Sequence, residues 1–138
     1  MTAGLARRIG RFALLPSGGV SRLVSDGQAT SVHVPGIALL DQFERSAGYL
    51  LVTDQDCPFE ETFHFILLDR DLHIRARRSL GATFSFVPGN QVRTLEELVW
   101  EDDEHFLATL TGPVERWRFT IRRSGIPFIH PRLTATRA

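Results

Sequence analysis

The segment "ERWRFTIRR", residues 115 to 123, constrains this chain more than any other, because apolar and polar side chains alternate along it almost one for one. Successive side chains of a strand point to opposite faces, so the alternation sends Trp117, Phe119 and Ile121 inward and Arg116, Arg118, Thr120 and Arg122 outward. The same period, punctuated by turn residues, recurs along the sequence. "VSRLVSDGQATSVHV" sets two short runs either side of Asp26-Gly27, a pair that tolerates the positive φ of a tight hairpin, and predicts a hairpin over Val20 to Val34. "IALLDQFE" and "YLLVTD" flank "RSAG" as a second hairpin, with Gly48 available for a left-handed turn position. In "TFHFILLDRDLHIRARRSL" two β-rich runs meet at Arg70-Asp71. A register pairing Asp69 with Leu72 would gather Phe63, Phe65, Leu67, Leu72, Ile74 and Ala76 on one face. "ATFSFVPGN" reads as a further strand ended by Pro88-Gly89, and "LVWEDDEHFLATL" turns at a charged tip before the arginine-rich strand.

One segment competes for helix. "RTLEELVW" carries Thr94 and Glu97 at capping-box spacing, so a short helical turn is weighed there against a strand. With at most that one helix, about eight to nine short strands predict an all-β, single-domain antiparallel meander. Short connections favour closure as a barrel, and a β-sandwich, which usually needs longer crossovers, is the alternative.

The 138 residues suffice for one core, so residues 1–138 are taken as a single β domain. A frayed N-terminus is expected over about residues 1–16, and an extended tail with Pro127 and Pro131 over about 124–138. Ile126, Phe128 and Ile129 in that tail suggest cover for a sheet edge, on the same chain or on a second copy, so a homodimer through the tail or an edge is entertained. No apolar run approaches the roughly 20 residues that span a bilayer, and "FALL" is cut off by Pro16 too early for a signal core; a cytoplasmic protein is expected. Cys57 is the only cysteine, which excludes an intramolecular disulfide and a cysteine zinc cage. All 16 basic residues are arginine, and 16 acids balance them, so the basic excess that drives nucleic-acid binding is lacking.

Two groups of residues are candidates for chemistry. The first is the acidic loop "VTDQDCPFEET", with Asp54, Asp56, Glu60 and Glu61. Aligned as a calcium loop from Asp54 it fails, since Pro58, Phe59 and Phe65 fall where a ligand, a glycine and a glutamate are required. Adjacent Glu60 and Glu61 point to opposite faces of a strand and form no carboxylate pair. The second group is the outward arginines. Arg75 and Arg77 line one strand, and Arg116, Arg118 and Arg122 another; if the strands are neighbours, they make a guanidinium patch for an anion. The plainer reading is a solvated face of cross-strand ion pairs.

The five histidines show no ligand spacing; His64 and His73, on the same strand face in the expected register, would sit about 13 Å apart, so no metal site is assigned. Cys57 among acids is no thiolate, no G-x-S-x-G elbow occurs, and "PSGGVS" reads as a flexible lead with no helix after it to cradle phosphate. Phe63, Phe65, Phe84, Phe86, Phe106 and Phe119 alternate inward, as core or as the lining of a small ligand pocket. No cofactor is implied. The reading is a small non-catalytic β module that binds an apolar or anionic small molecule or a protein. The alternative is a small hydrolase or isomerase using the 54–61 carboxylates with a histidine or arginine from another strand.

Overall fold

The computed structural model describes residues 5–55, 62–81, 94–111, 114–123 and 132–138. Among them are twelve strands and no helix, hence none long and apolar enough to cross a membrane. The strands are β1 (Arg7–Arg8), β2 (Phe12–Ser17), β3 (Val20–Ser25), β4 (Gln28–Pro35), β5 (Ala38–Arg45), β6 (Gly48–Asp54), β7 (Thr62–Asp69), β8 (Ile74–Gly81), β9 (Thr94–Asp102), β10 (His105–Thr111), β11 (Glu115–Ile121) and β12 (Leu133–Arg137).

All pairings are antiparallel, in three sheets: β1-β5-β6-β7-β8, β12-β11-β10-β9 and β2-β3-β4. No ring of paired strands closes among the described residues, where β12 passes beside β8 without pairing to it, so a sandwich-like stacking of sheets fits as well as the expected barrel. The five-stranded sheet lies between the other two. On one face Leu50, Val52, Phe65 and Leu67 pack against Phe106, Ala108, Phe119 and Ile121 of the four-stranded sheet. On the other, Tyr49, Leu51, Ile66 and Leu68 pack against Phe12, Leu23 and Val34 of the three-stranded sheet. Strands β6 and β7 are therefore buried on both sides from Gly48 to Thr53 and from Phe63 to Leu68. That is why "GYLLVT" and "FHFILL" read as continuous apolar runs.

The densest packing is aromatic. Phe106 stacks on Phe119 with ring centroids 4.6 Å apart, and Phe65 lies 4.3 Å from Phe119, all three fully buried. Each such ring contributes about 1.5–3 kcal/mol by leaving water.

Several expectations hold. Asp26 and Gly27 both take positive φ, 51° and 79°, and turn β3 into β4. Strand β11 alternates as read, with Phe119 and Ile121 buried, Arg116 and Arg118 exposed, and Trp117 half-buried at the rim under the Arg137 guanidinium. Others are corrected. The capping-box spacing at Thr94 goes unused: 94–102 is strand β9, because Leu98 and Trp100 reach the core only with a period of two. The N-terminal segment is not frayed from Phe12 to Ser17. Gly18 and Gly19, at φ 61° and 84°, make "PSGG" a hairpin turn, and Phe12 packs on Tyr49 with centroids 5.1 Å apart. Of the tail, 133–137 is edge strand β12, while Ile126, Phe128 and Ile129 lie outside the described residues, as do Phe84, Phe86 and the strand expected in "ATFSFVPGN".

The β7–β8 register is also corrected. The Asp69 carboxylate accepts hydrogen bonds from the backbone N–H of Asp71 and of His73, each 2.9 Å, and Leu72 sits at φ 65°. This four-residue turn, rather than a two-residue one, shifts the pairing by two: Phe63 faces Leu80 and His64 faces Ser79, not Arg77. A bulge between Leu67 and Leu68 then puts Ile74 opposite Leu68, away from the Phe63 face, where it is exposed.

Candidate anion-binding cleft

Strand β5 ends on Arg45, two residues after buried Phe43 and on the same inward face. Only 7% of Arg45 is exposed, and its Nε–H donates to the main-chain carbonyl of Asp103 at 3.0 Å. Asp103 and Glu104 form the turn between β9 and β10, so this bond joins the five-stranded sheet to the four-stranded one. Ser46 reinforces the joint by donating its hydroxyl to the Asp103 carboxylate. From outside, Arg70 donates to the carbonyls of Arg45, at 2.7 Å, and Ser46, at 3.2 Å, and pairs with Glu44 at 2.8 Å, fixing the β5–β6 turn.

These turns and the end of β11 enclose a cleft of about 630 Å³, lined by Arg45, Ser46, Asp103, Arg122, Arg123 and Arg132, with Ile121 as its apolar wall. The acids around it are engaged. Asp102 accepts from the backbone N–H of Glu104, at 2.7 Å, and from His105, at 2.8 Å, and those bonds hold its carboxyl below the usual range. Glu104 pairs with Arg123 at 3.2 Å, and Asp103 is bonded to Ser46. Arg132 donates its Nε–H to the Arg122 carbonyl at 3.4 Å. Among the described residues, neither Arg45 nor Arg132 forms an ion pair with a carboxylate. Burial lowers the Arg45 pKa; Asp103 and Glu104 oppose the shift at longer range, and the charge of nearby Arg132 adds to it. A guanidinium nonetheless stays charged at neutral pH.

The expected arginine patch is not assembled. Strands β8 and β11 belong to different sheets, with β12 on the near side of β11. Arg75 pairs with Asp69 at 2.7 Å and Arg118 with Glu101 at 2.9 Å, which are solvated ion pairs of the plainer kind. Arg77 and Arg116 are exposed on their separate sheets. Arg122 alone of the five reaches the cleft, in the company of Arg45, Arg123 and Arg132. Arg45 had a sequence signal: it is a charged residue at an inward position of an alternating strand. Arg132 had none, since its place depends on how the chain returns to pair β12 with β11.

Of the acidic loop, Asp54 ends β6 opposite Ala38 and Phe63, and its carbonyl accepts from Ile37 N–H at 2.8 Å. Asp56, Glu60 and Glu61 lie outside the described residues. Asp69, Asp71 and His73 bring ligand-type atoms within 4.8 Å of one another at the β7–β8 turn. The turn itself accounts for them, because Asp69 is held by two backbone amides and by Arg75. Compared with family models, with curated proteins and with solved structures, the chain matches none.

Proposed function

We propose that the protein is a small β module whose arginine cleft works by binding rather than by catalysis, its ligand a small organic anion held by Arg45 and Arg132 with Arg122 and Arg123 at the rim. The observation that carries this reading is Arg45: a buried arginine whose guanidinium reaches a cleft and has no carboxylate partner among the described residues. A buried cation is costly unless it is paired, and a bound anion supplies the missing partner. With Nε occupied by Asp103, the terminal nitrogens are left for the bidentate geometry that suits a carboxylate or phosphate. Ile121 favours an anion with an apolar body, and the volume suits a small ligand. The engaged state of Asp102, Asp103 and Glu104 favours binding over acid-base chemistry in the cleft. No membrane or nucleic acid is needed as a partner, and a reducing cytoplasmic setting agrees with a lone cysteine.

The test is calorimetry and thermal denaturation with phenyl phosphate and with benzoate. We expect one site per chain with Kd below about 1 mM for at least one of them, a raised Tm in its presence, and at least a tenfold loss of affinity in Arg45→Met. No binding up to about 10 mM, or equal affinity in the variant, would refute the cleft as the site.

A further inference from the structure

A second constellation lies on the opposite face of the five-stranded sheet. In the observed register His64 of β7 and Ser79 of β8 are cross-strand partners, and the His64 Nδ1 lies 2.8 Å from the Ser79 hydroxyl oxygen. The histidine is buried, 9% exposed, while the serine is exposed to solvent. At the other end of the ring, Nε2 lies 2.9 Å from the side-chain amide of Gln55.

The neighbours of that amide decide its orientation. With the nitrogen toward His64, the amide oxygen would face the Gly19 carbonyl, two acceptors together, and the Gly36 N–H would face another donor. Turned the other way, Gln55 Nε2 donates to the Gly19 carbonyl at 3.2 Å, and its oxygen accepts from Gly36 N–H at 3.3 Å and from His64 Nε2–H at 2.9 Å. This orientation satisfies every group. It fixes the tautomer with the proton on Nε2, so the Nδ1 lone pair accepts from the Ser79 hydroxyl. Burial, and then the charge of Arg77 on the same face of β8, lower the His64 pKa, which keeps the ring neutral near pH 7. Arg77 is the charged group acting on it among the described residues.

We propose that Ser79 is an activated nucleophile, with His64 as its general base and Gln55 as the positioning residue, and that it accepts an acyl group from an activated carboxylic ester. The Ser79 oxygen attacks the carbonyl carbon as its proton passes to His64 Nδ1. The bond to the departing alkoxide then breaks, and that alkoxide takes the proton from the imidazolium, leaving an ester on Ser79 and a free alcohol. The arrangement is independent of the arginine cleft, and it uses a residue pair brought together only by the corrected register.

An alkyl fluorophosphonate tests this directly, since it traps serines activated in the same way: the serine oxygen bonds to phosphorus, fluoride leaves, and the proton departs through the base. Peptide mass mapping should find the adduct on Ser79, formed at least about 100-fold faster than on Ser31, an exposed serine without a histidine bonded to it. The rate should rise with pH through an ionisation below the usual histidine value of 6.5 and then level off. His64→Gln should lower it by about 100-fold or more, and Gln55→Glu, which keeps an acceptor but adds charge, should move the ionisation to higher pH. A Ser79 rate no greater than that of Ser31 overturns the proposal. So does a rate in the unaltered protein that shows no ionisation between about pH 4 and 8, a result that requires no variant to fold.

Discussion

The Nε–H of Arg45 bonds to the carbonyl of Asp103, 3.0 Å away, and so fastens a turn of the five-stranded sheet to a turn of the four-stranded sheet. It is a charged hydrogen bond at a buried junction, worth about 1.5–3 kcal/mol, with the side-chain stem packed beneath it. Arg45→Ala should therefore lower stability by about 2 kcal/mol in urea denaturation without added anion. A loss above about 4 kcal/mol would mark Arg45 as a core residue whose charge is incidental.

The two outward-inward assignments around β10 and β11 can be separated by truncation. Phe106→Ala removes a fully buried ring packed on Phe65, Trp100 and Phe119, and should cost about 3–5 kcal/mol. Arg118→Ala removes an exposed pair with Glu101 and should cost well under about 1 kcal/mol. Chemical denaturation of the two variants measures both, and similar losses would contradict the facing.

Gly36 has a backbone that few side chains could share. Its φ is 94°, and a Cβ there would collide with the side chain of Thr53, which is fully buried and donates to the Pro35 carbonyl at 2.8 Å. Gly36→Ala should cost about 3–5 kcal/mol from strain and overpacking together, whereas Gly10→Ala, with open space around it, should stay within about 0.5 kcal/mol of the parent. Melting temperatures of the pair give the comparison.

Burial and Arg77 depress the folded-state pKa of His64 below its ordinary 6.5. The unfolded chain then binds the proton more readily than the folded one. Stability attributable to His64 is whole above about pH 6.5 and falls as the pH drops from there to the folded value, below which the loss is complete. His64→Gln should flatten the stability curve in that window, as followed by urea denaturation from about pH 7 to 4. A steeper curve in the variant would mean that His64 is more basic in the fold than outside it.

The legible parts of the fold were local. Asp26-Gly27 specified its turn because the required φ values belong to those residue types, and "ERWRFTIRR" specified its facing because a strand has a period of two. The β7–β8 turn departs from the expected two-residue form for an equally local reason. Asp69 at the strand end caps the following amides with its carboxylate, which lengthens the turn, moves the register by two residues and brings His64 opposite Ser79. The unbroken apolar runs of β6 and β7 were likewise a sign of burial on two faces, which a barrel wall enclosing one core does not predict.

The sequence by itself determined the all-β class, the hairpins at 20–35 and 38–54, and the inward side of β11, though not the twelve strands where about eight to nine were expected, because side-chain alternation and turn chemistry act between residues close along the chain. Only the tertiary structure decided that the strands divide into three stacked sheets, that the arginines of β8 and β11 are kept apart, and that Arg45 meets Arg122, Arg123 and Arg132 in one cleft. Those outcomes depend on which sheet faces cover one another. Neighbouring residues cannot encode that singly, since the burial of an apolar face is non-directional and any sufficiently apolar partner face satisfies it.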